Sequence, residues 1–190
     1  MTKLVLMLGF MQNYSDDDFP AAAATKMSEY LVKCITPSIK STKYTSVDYI
    51  WYPKTPDVTR HYLICYLQAS SSRSIIRRRY PGTELGPSGS TMWSPRDQCV
   101  ISEIYMDTVL GDSRPDILTA NLIYHEFLHN HLDATSHVYQ DVHKTWGGNL
   151  ASAKPITSNP NMCVNAVDVV TMRKALLHPV AQYKGGLPDS

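Results

Sequence analysis

The sequence predicts an α+β fold in a single domain spanning residues 1–190. Three observations carry that prediction. A chain of 190 residues, 43% hydrophobic and 18% charged, has the size and composition of one globular domain with a proper core. Apolar runs closed by turn residues read as strands, while other stretches carry a helical period. These elements follow the order strand, helix, three strands, helix, loop, helix, which gathers most strands ahead of the second helix. The expected architecture is a mixed, twisted sheet of about four to five strands with an N-terminal helix, a helix after the strands and a C-terminal helix.

The first apolar run, "KLVLMLGF", reads as a buried strand ending at Gly9. "SDDDFPAAAATKMSEYLVKCI" follows as a helix, with Ser15 or an aspartate as N-cap, Pro20 in the first turn and four alanines of high helix propensity. Phe19, Ala23, Met27, Tyr30, Leu31 and Cys34 form one face of it. "SVDYIWYP" and "HYLICYL" are β-branched and aromatic runs, closed by proline and by "QASSS", and each reads as a strand. From Ser70 to Arg96 the chain is rich in Ser, Gly, Pro and Arg and reads as a long loop. "QCVISEIYMD" is the next strand. "SRPDILTANLIYHEFLHNHL" opens with Ser113 and Asp116 in capping-box spacing and Pro115 in the first turn, so it reads as a helix. After a loop containing "WGG" and "KPITSNPNM", the helix "NAVDVVTMRKALL" is capped by Asn165 and stopped by Pro179.

A net charge of +1 argues against a global field for nucleic acid or an anionic membrane. The longest apolar run, "LVLMLGFM", is far short of a membrane span. The acidic "SDDD" after it is wrong for a signal-peptide cleavage region, which points to a chain that is cytoplasmic or released by a non-classical route. Cys34, Cys65, Cys99 and Cys163 are widely spaced with no C-x-x-C pair, and fit either two disulfides or buried thiols.

The chemistry-bearing stretch is "LIYHEFLHNHLDATSHVYQDVH", which holds five of the seven histidines. It begins with His-Glu-x-x-His at His125, Glu126 and His129. Residues four apart share a helix face, so both imidazoles can reach one ion about 2.0–2.1 Å away, as zinc prefers. Glu126, rotated by about 100°, flanks the ion instead of binding it. There it can act as general base toward a water held on the zinc, whose pKa the metal brings toward about 7. Leu122, Ile123, Phe127 and Leu128 make the surroundings apolar, and buried histidines and a carboxylate need partners that a metal would supply.

Catalytic zinc usually has three protein ligands and a water. His131 points about 200° away from His129. Asp133 lies on the ligand face, but in a straight helix its backbone would stand about 12 Å along the axis from that of His125. "DATS" is a turn-forming cluster that can end the helix and swing His137 back. His137 is the expected third ligand, with Asp133 and His143 as alternatives.

At these residues the chain resembles the metzincin clan of zincin metallopeptidases, whose motif is His-Glu-x-x-His-x-x-Gly-x-x-His with a methionine-bearing turn and a C-terminal helix downstream. "HEFLH" matches the first half, and "NPNMCV" resembles the methionine turn, with Met162 as its methionine. Leu132 stands where the clan has glycine and Thr135 where it has the third histidine, so reaching His137 takes a turn two residues longer. The resemblance implies a zincin-like domain and makes "CVISEIYMD" the edge strand of the cleft, where an extended peptide could add by main-chain hydrogen bonds.

The function expected is a zinc-dependent metallopeptidase acting on a peptide or protein substrate, with Glu126 catalytic and His125, His129 and His137 on the metal. A zinc amidase of cell-wall or other non-protein amides, or a non-catalytic zinc-stabilised binding domain, is the alternative. Glu126 argues against the last, because a structural site needs no carboxylate beside its first ligand. "RSIIRRRYPG" groups Arg73, Arg77, Arg78 and Arg79 with Tyr80, and in a chain of balanced charge it reads as a solvated loop or a contact for acidic substrate. No Gly-x-Ser-x-Gly elbow and no Gly-rich phosphate loop is present. Tyr139, Tyr183 and His143 have no spacing rule that would fix them near the reaction.

Overall fold

The first strand does not stop at Gly9. In the computed structural model, which describes residues 4–15, 17–52, 63–129, 166–178, 180–185 and 187, β1 runs from Leu4 to Asn13. The helix after it, α1 (Ala21–Ile35), starts at Ala21, with Pro20 as its N-cap. Ser15 instead closes the preceding turn, where its carbonyl accepts from Asp18 and Phe19. The predicted face of α1 is the buried one: Met27, Leu31 and Cys34 are inside, joined by Ala24, Ser28 and Ile35. β2 (Tyr44–Tyr52) and β3 (Leu63–Gln68) follow as read.

The stretch read as a long loop from Ser70 to Arg96 holds two elements. They are α2 (Ile75–Arg79), capped by the Ser74 hydroxyl on the Arg77 amide at 3.0 Å, and β4 (Gly89–Ser94). β5 (Cys99–Tyr105) and α3 (Pro115–Leu128) come next, and α4 (Ala166–Leu177) is the last helix. The capping box expected at Ser113 does not form. Arg114 is the N-cap of α3, and Asp116 faces the Arg114 guanidinium at 3.3 Å. Asn165 and Pro179, expected to bound α4, lie outside the described residues.

Among the described residues the sheet is mixed and five-stranded, in the order β2-β1-β3-β5-β4. β1 pairs in parallel with both β2 and β3, and β3 in parallel with β5; only β4 is antiparallel. Parallel neighbours need a crossover, and α1 supplies it between β1 and β2. This establishes the α+β class. It also corrects the edge strand, since β5 is interior, buried at every position, and β4 forms the edge.

Alternation along the strands divides the core in two. Leu6, Leu8 and Phe10 of β1, Cys65 of β3 and Ile104 of β5 face α1, α3 and α4. Met11, Tyr66 and Ile101 face the other way, onto Ile75 and Ile76 of α2 and onto Tyr183. β3 and β5 pair only from Tyr66 and Glu103 onward. Ahead of that point the C-terminal segment enters: Val100 exchanges backbone bonds with Ala181 and Tyr183, and the Gln182 side chain accepts from the Ile64 amide at 3.2 Å. No described helix is long and apolar enough to cross a membrane.

Candidate metal centre

Proline at the first position and a run of residues without glycine carry α3 unbroken to His-Glu-x-x-His. Eleven of its fourteen residues are buried, so the helix passes through the interior instead of lying on it. His125, Glu126 and His129 are exposed by only 8%, 5% and 7%, too little for a solvated surface cluster. His129 is the C-cap, and its amide donates to the Glu126 carbonyl, which tightens the last turn.

The two imidazoles stand edge-on at 75°, with centroids 5.1 Å apart and Nε2 atoms 3.4 Å apart. A separation of 3.4 Å is long for a direct N–H···N bond, since strong bonds of this type fall near 2.9–3.0 Å. It equals what two ligands each about 2.0–2.1 Å from one tetrahedral ion would show, about 3.3–3.4 Å. The donor set therefore fits zinc. Both Nε2 atoms face one point from adjacent turns, as the spacing predicts.

Glu126 projects beside that point toward the edge strand. Burial pushes its carboxyl up to about 8, an effect that a hydrogen bond from Thr91 opposes and the charge of Glu103 reinforces. Across the strand pair, the inward face of β4 carries Gly89, Thr91 and Trp93 opposite Ile104, Ser102 and Val100. The Thr91 hydroxyl lies 3.1 Å from the Glu126 carbonyl and 3.0 Å from the Ser102 hydroxyl. Gly89 lies against the Glu126 carboxylate itself.

His125, Glu126 and His129 thus come together, whereas the expected third ligand His137, its alternatives Asp133 and His143, and Met162 of the proposed methionine turn lie outside the described residues. Among the described residues no group of three or more His, Cys, Asp or Glu gathers as a metal site. Cys34, Cys65 and Cys99 are buried thiols outside any disulfide.

The remaining candidates sit elsewhere. Arg77, Arg78 and Arg79 are on α2, across the sheet from the histidines. Arg79 holds Asp97 with two bonds, at 2.8 and 2.5 Å, and its guanidinium stacks 5.0 Å over the Tyr183 ring. Tyr183 therefore serves the fold, packed on Tyr66. A second buried carboxylate, Glu103, accepts from Ser74, from the Ile75 amide at 2.9 Å and from the Tyr105 hydroxyl at 2.7 Å, and so bolts α2 to β5. Gly89 and Thr91 were missed from sequence because their run sits among Gly, Ser and Pro.

Comparison with protein-family models, with curated proteins and with solved structures finds no match.

Proposed function

We propose that this chain is a zinc-dependent metallopeptidase. One observation carries the reading: two buried imidazoles with Nε2 atoms 3.4 Å apart, and a buried carboxylate on the residue that follows the first of them. His125 and His129 would hold the zinc, with His137 proposed as the third ligand. When bound, zinc polarises the carbonyl under attack and acidifies water.

The chain's own residues supply the rest. With zinc bound, the Glu126 carboxyl comes down from its raised value and ionises. The resulting carboxylate accepts a proton from the attacking water and passes it to the leaving amine nitrogen, as a general base and then a general acid. The apolar packing of Phe127 and Leu128, both fully buried, keeps bulk water from the inner side of the motif. β4 pairs through one edge only, with β5, and no other described strand pairs it. An extended peptide could add to that free edge by main-chain hydrogen bonds and lie across the mouth of the site beside Glu126. The edge-strand role expected of "CVISEIYMD", residues 99–107, thereby falls to Gly89–Ser94.

The test is elemental analysis of protein purified without added metal, followed by a cleavage assay on a mixed peptide pool with and without chelator. Stoichiometric zinc and chelator-sensitive cleavage are expected. Protein that takes up no transition metal on titration would refute the reading.

A further inference from the structure

We propose that Thr91, on the edge strand, is a positioning residue for Glu126 and His129. The proposal rests on the metallopeptidase reading and adds to it a residue outside the His-Glu-x-x-His motif.

The Glu126 carbonyl can only accept, and the Thr91 hydroxyl donates to it over 3.1 Å. The same hydroxyl stands 3.0 Å from the oxygen of the fully buried Ser102, toward which Thr91 is likewise the donor. One hydroxyl on edge strand β4 thus ties interior strand β5 to the last turn of α3. Its acceptor on α3 is the same carbonyl that accepts the His129 amide. That oxygen accepts from the ligand residue's own backbone and from the sheet.

This carbonyl belongs to the residue whose side chain moves the proton, and it sets the pitch of the turn that carries His129. α3 changes from α to 3₁₀ geometry at His129, with ψ at −20°. Without Thr91 the turn could relax toward a regular α pitch, rotating the His129 ring relative to His125. Gly89, two residues earlier on the same strand face, leaves room for the Glu126 carboxylate. The edge strand therefore holds Glu126 at both ends, main chain through Thr91 and side chain beside Gly89. Partners that orient metal-binding residues without touching the metal typically matter by about 10–100-fold in affinity or activity.

Thr91→Val keeps the shape of the side chain and removes the donor; Thr91→Ser restores the donor without the methyl. Ile101→Val, on the opposite sheet face, serves as a control for general loss of stability. Zinc titration, steady-state cleavage of a peptide pool, and amide hydrogen exchange of the metal-free protein are measured together. For Thr91→Val we expect zinc affinity to fall about 10–100-fold, kcat to fall with KM little changed, and the His129 amide to exchange faster; Thr91→Ser should return all three toward wild type, and Ile101→Val should leave zinc affinity unchanged. Wild-type zinc affinity and kcat in Thr91→Val would overturn the proposal, as would a Thr91→Ser protein as impaired as Thr91→Val. Wild-type protein that binds no zinc would refute the metallopeptidase reading; the exchange data then decide, and an unchanged His129 amide in Thr91→Val overturns the positioning role, while a faster one supports it.

Discussion

A Cβ placed on Gly89 would lie 3.0 Å from Oε1 of Glu126, so the edge strand reaches the central carboxylate only because residue 89 has no side chain. The same Cβ would meet Ile104 Cδ1 at 2.8 Å and the Glu103 carbonyl at 2.9 Å, and a backbone carbonyl in mid-strand cannot give way cheaply. Gly89→Ala should therefore destabilise the fold by about 1–3 kcal/mol, the range for overpacking a filled site. Because Glu126 is one of the displaced groups, turnover should fall further than that loss explains at temperatures where the variant is fully folded. Denaturation curves alongside cleavage rates check both parts. A Gly89→Ala protein of unchanged stability would show that β4 stands further from α3.

Glu126→Gln keeps the size of the side chain and removes its ability to carry a proton. Zinc content should be unchanged, since the ligands are His125 and His129 and the proposed His137. Cleavage should fall by about 10²–10⁴-fold, the usual weight of a general base. Metal analysis and turnover on the same preparation separate the two functions. Full activity in Glu126→Gln would remove Glu126 from the mechanism.

Glu103 provides a pH test away from the histidines. Burial raises its carboxyl above the ordinary 4.5, against the opposing bonds from Ser74, Tyr105 and the α2 amides. A raised folded-state value means that the folded state binds the proton more tightly than the unfolded chain. Its stabilising contribution is then complete below about pH 4.5 and is lost as pH rises through the folded value. Glu103→Gln should flatten that part of the pH dependence. The amide oxygen can still accept from the fixed Ile75 amide, while its NH₂ faces the Ser74 and Tyr105 hydroxyls, which can rotate to accept. Urea denaturation of both proteins at stepped pH measures the difference, and parallel curves would count against a raised Glu103.

Gln182 closes the gap where β3 and β5 separate, by accepting from the Ile64 amide at 3.2 Å. Gln182→Ala leaves a buried N–H without that acceptor, a loss of about 1–3 kcal/mol. Equilibrium unfolding should show it as a shift in midpoint without change in zinc affinity.

What the sequence made legible was local. His125, Glu126 and His129 fall within five residues on one helix, so the 3.6-residue period was enough to place them together. The strands β1, β2, β3 and β5 and the buried face of α1 are long apolar patterns of the same kind. β4 was not legible: its four central residues are only partly buried, so "GSTMWS" shows neither an apolar run nor a clean alternation. The five residues of α2 are too few to reveal a period, and three of them are arginines. Thr91 lies 35 residues from Glu126, a contact that only the sheet creates. The capping box at Ser113 lost to Arg114, whose guanidinium occupies the Asp116 carboxylate.

The third ligand gives the sharpest remaining test. With Nε2 atoms 3.4 Å apart, His125 and His129 account for two positions on a tetrahedral ion. Catalytic zinc takes one more protein ligand and keeps one position open. α3 ends at Leu128, with His129 as its cap, so the helix has already stopped before residue 133. In the sequence, "DATS" places turn-forming residues directly ahead of His137. His137→Ala should therefore weaken zinc binding strongly, while Asp133→Ala and His143→Ala weaken it less. Zinc titration of the three variants decides the matter. Should Asp133→Ala strip the metal and His137→Ala retain it, the site is two histidines and a carboxylate, and the likeness to the metzincin motif reduces to His-Glu-x-x-His alone.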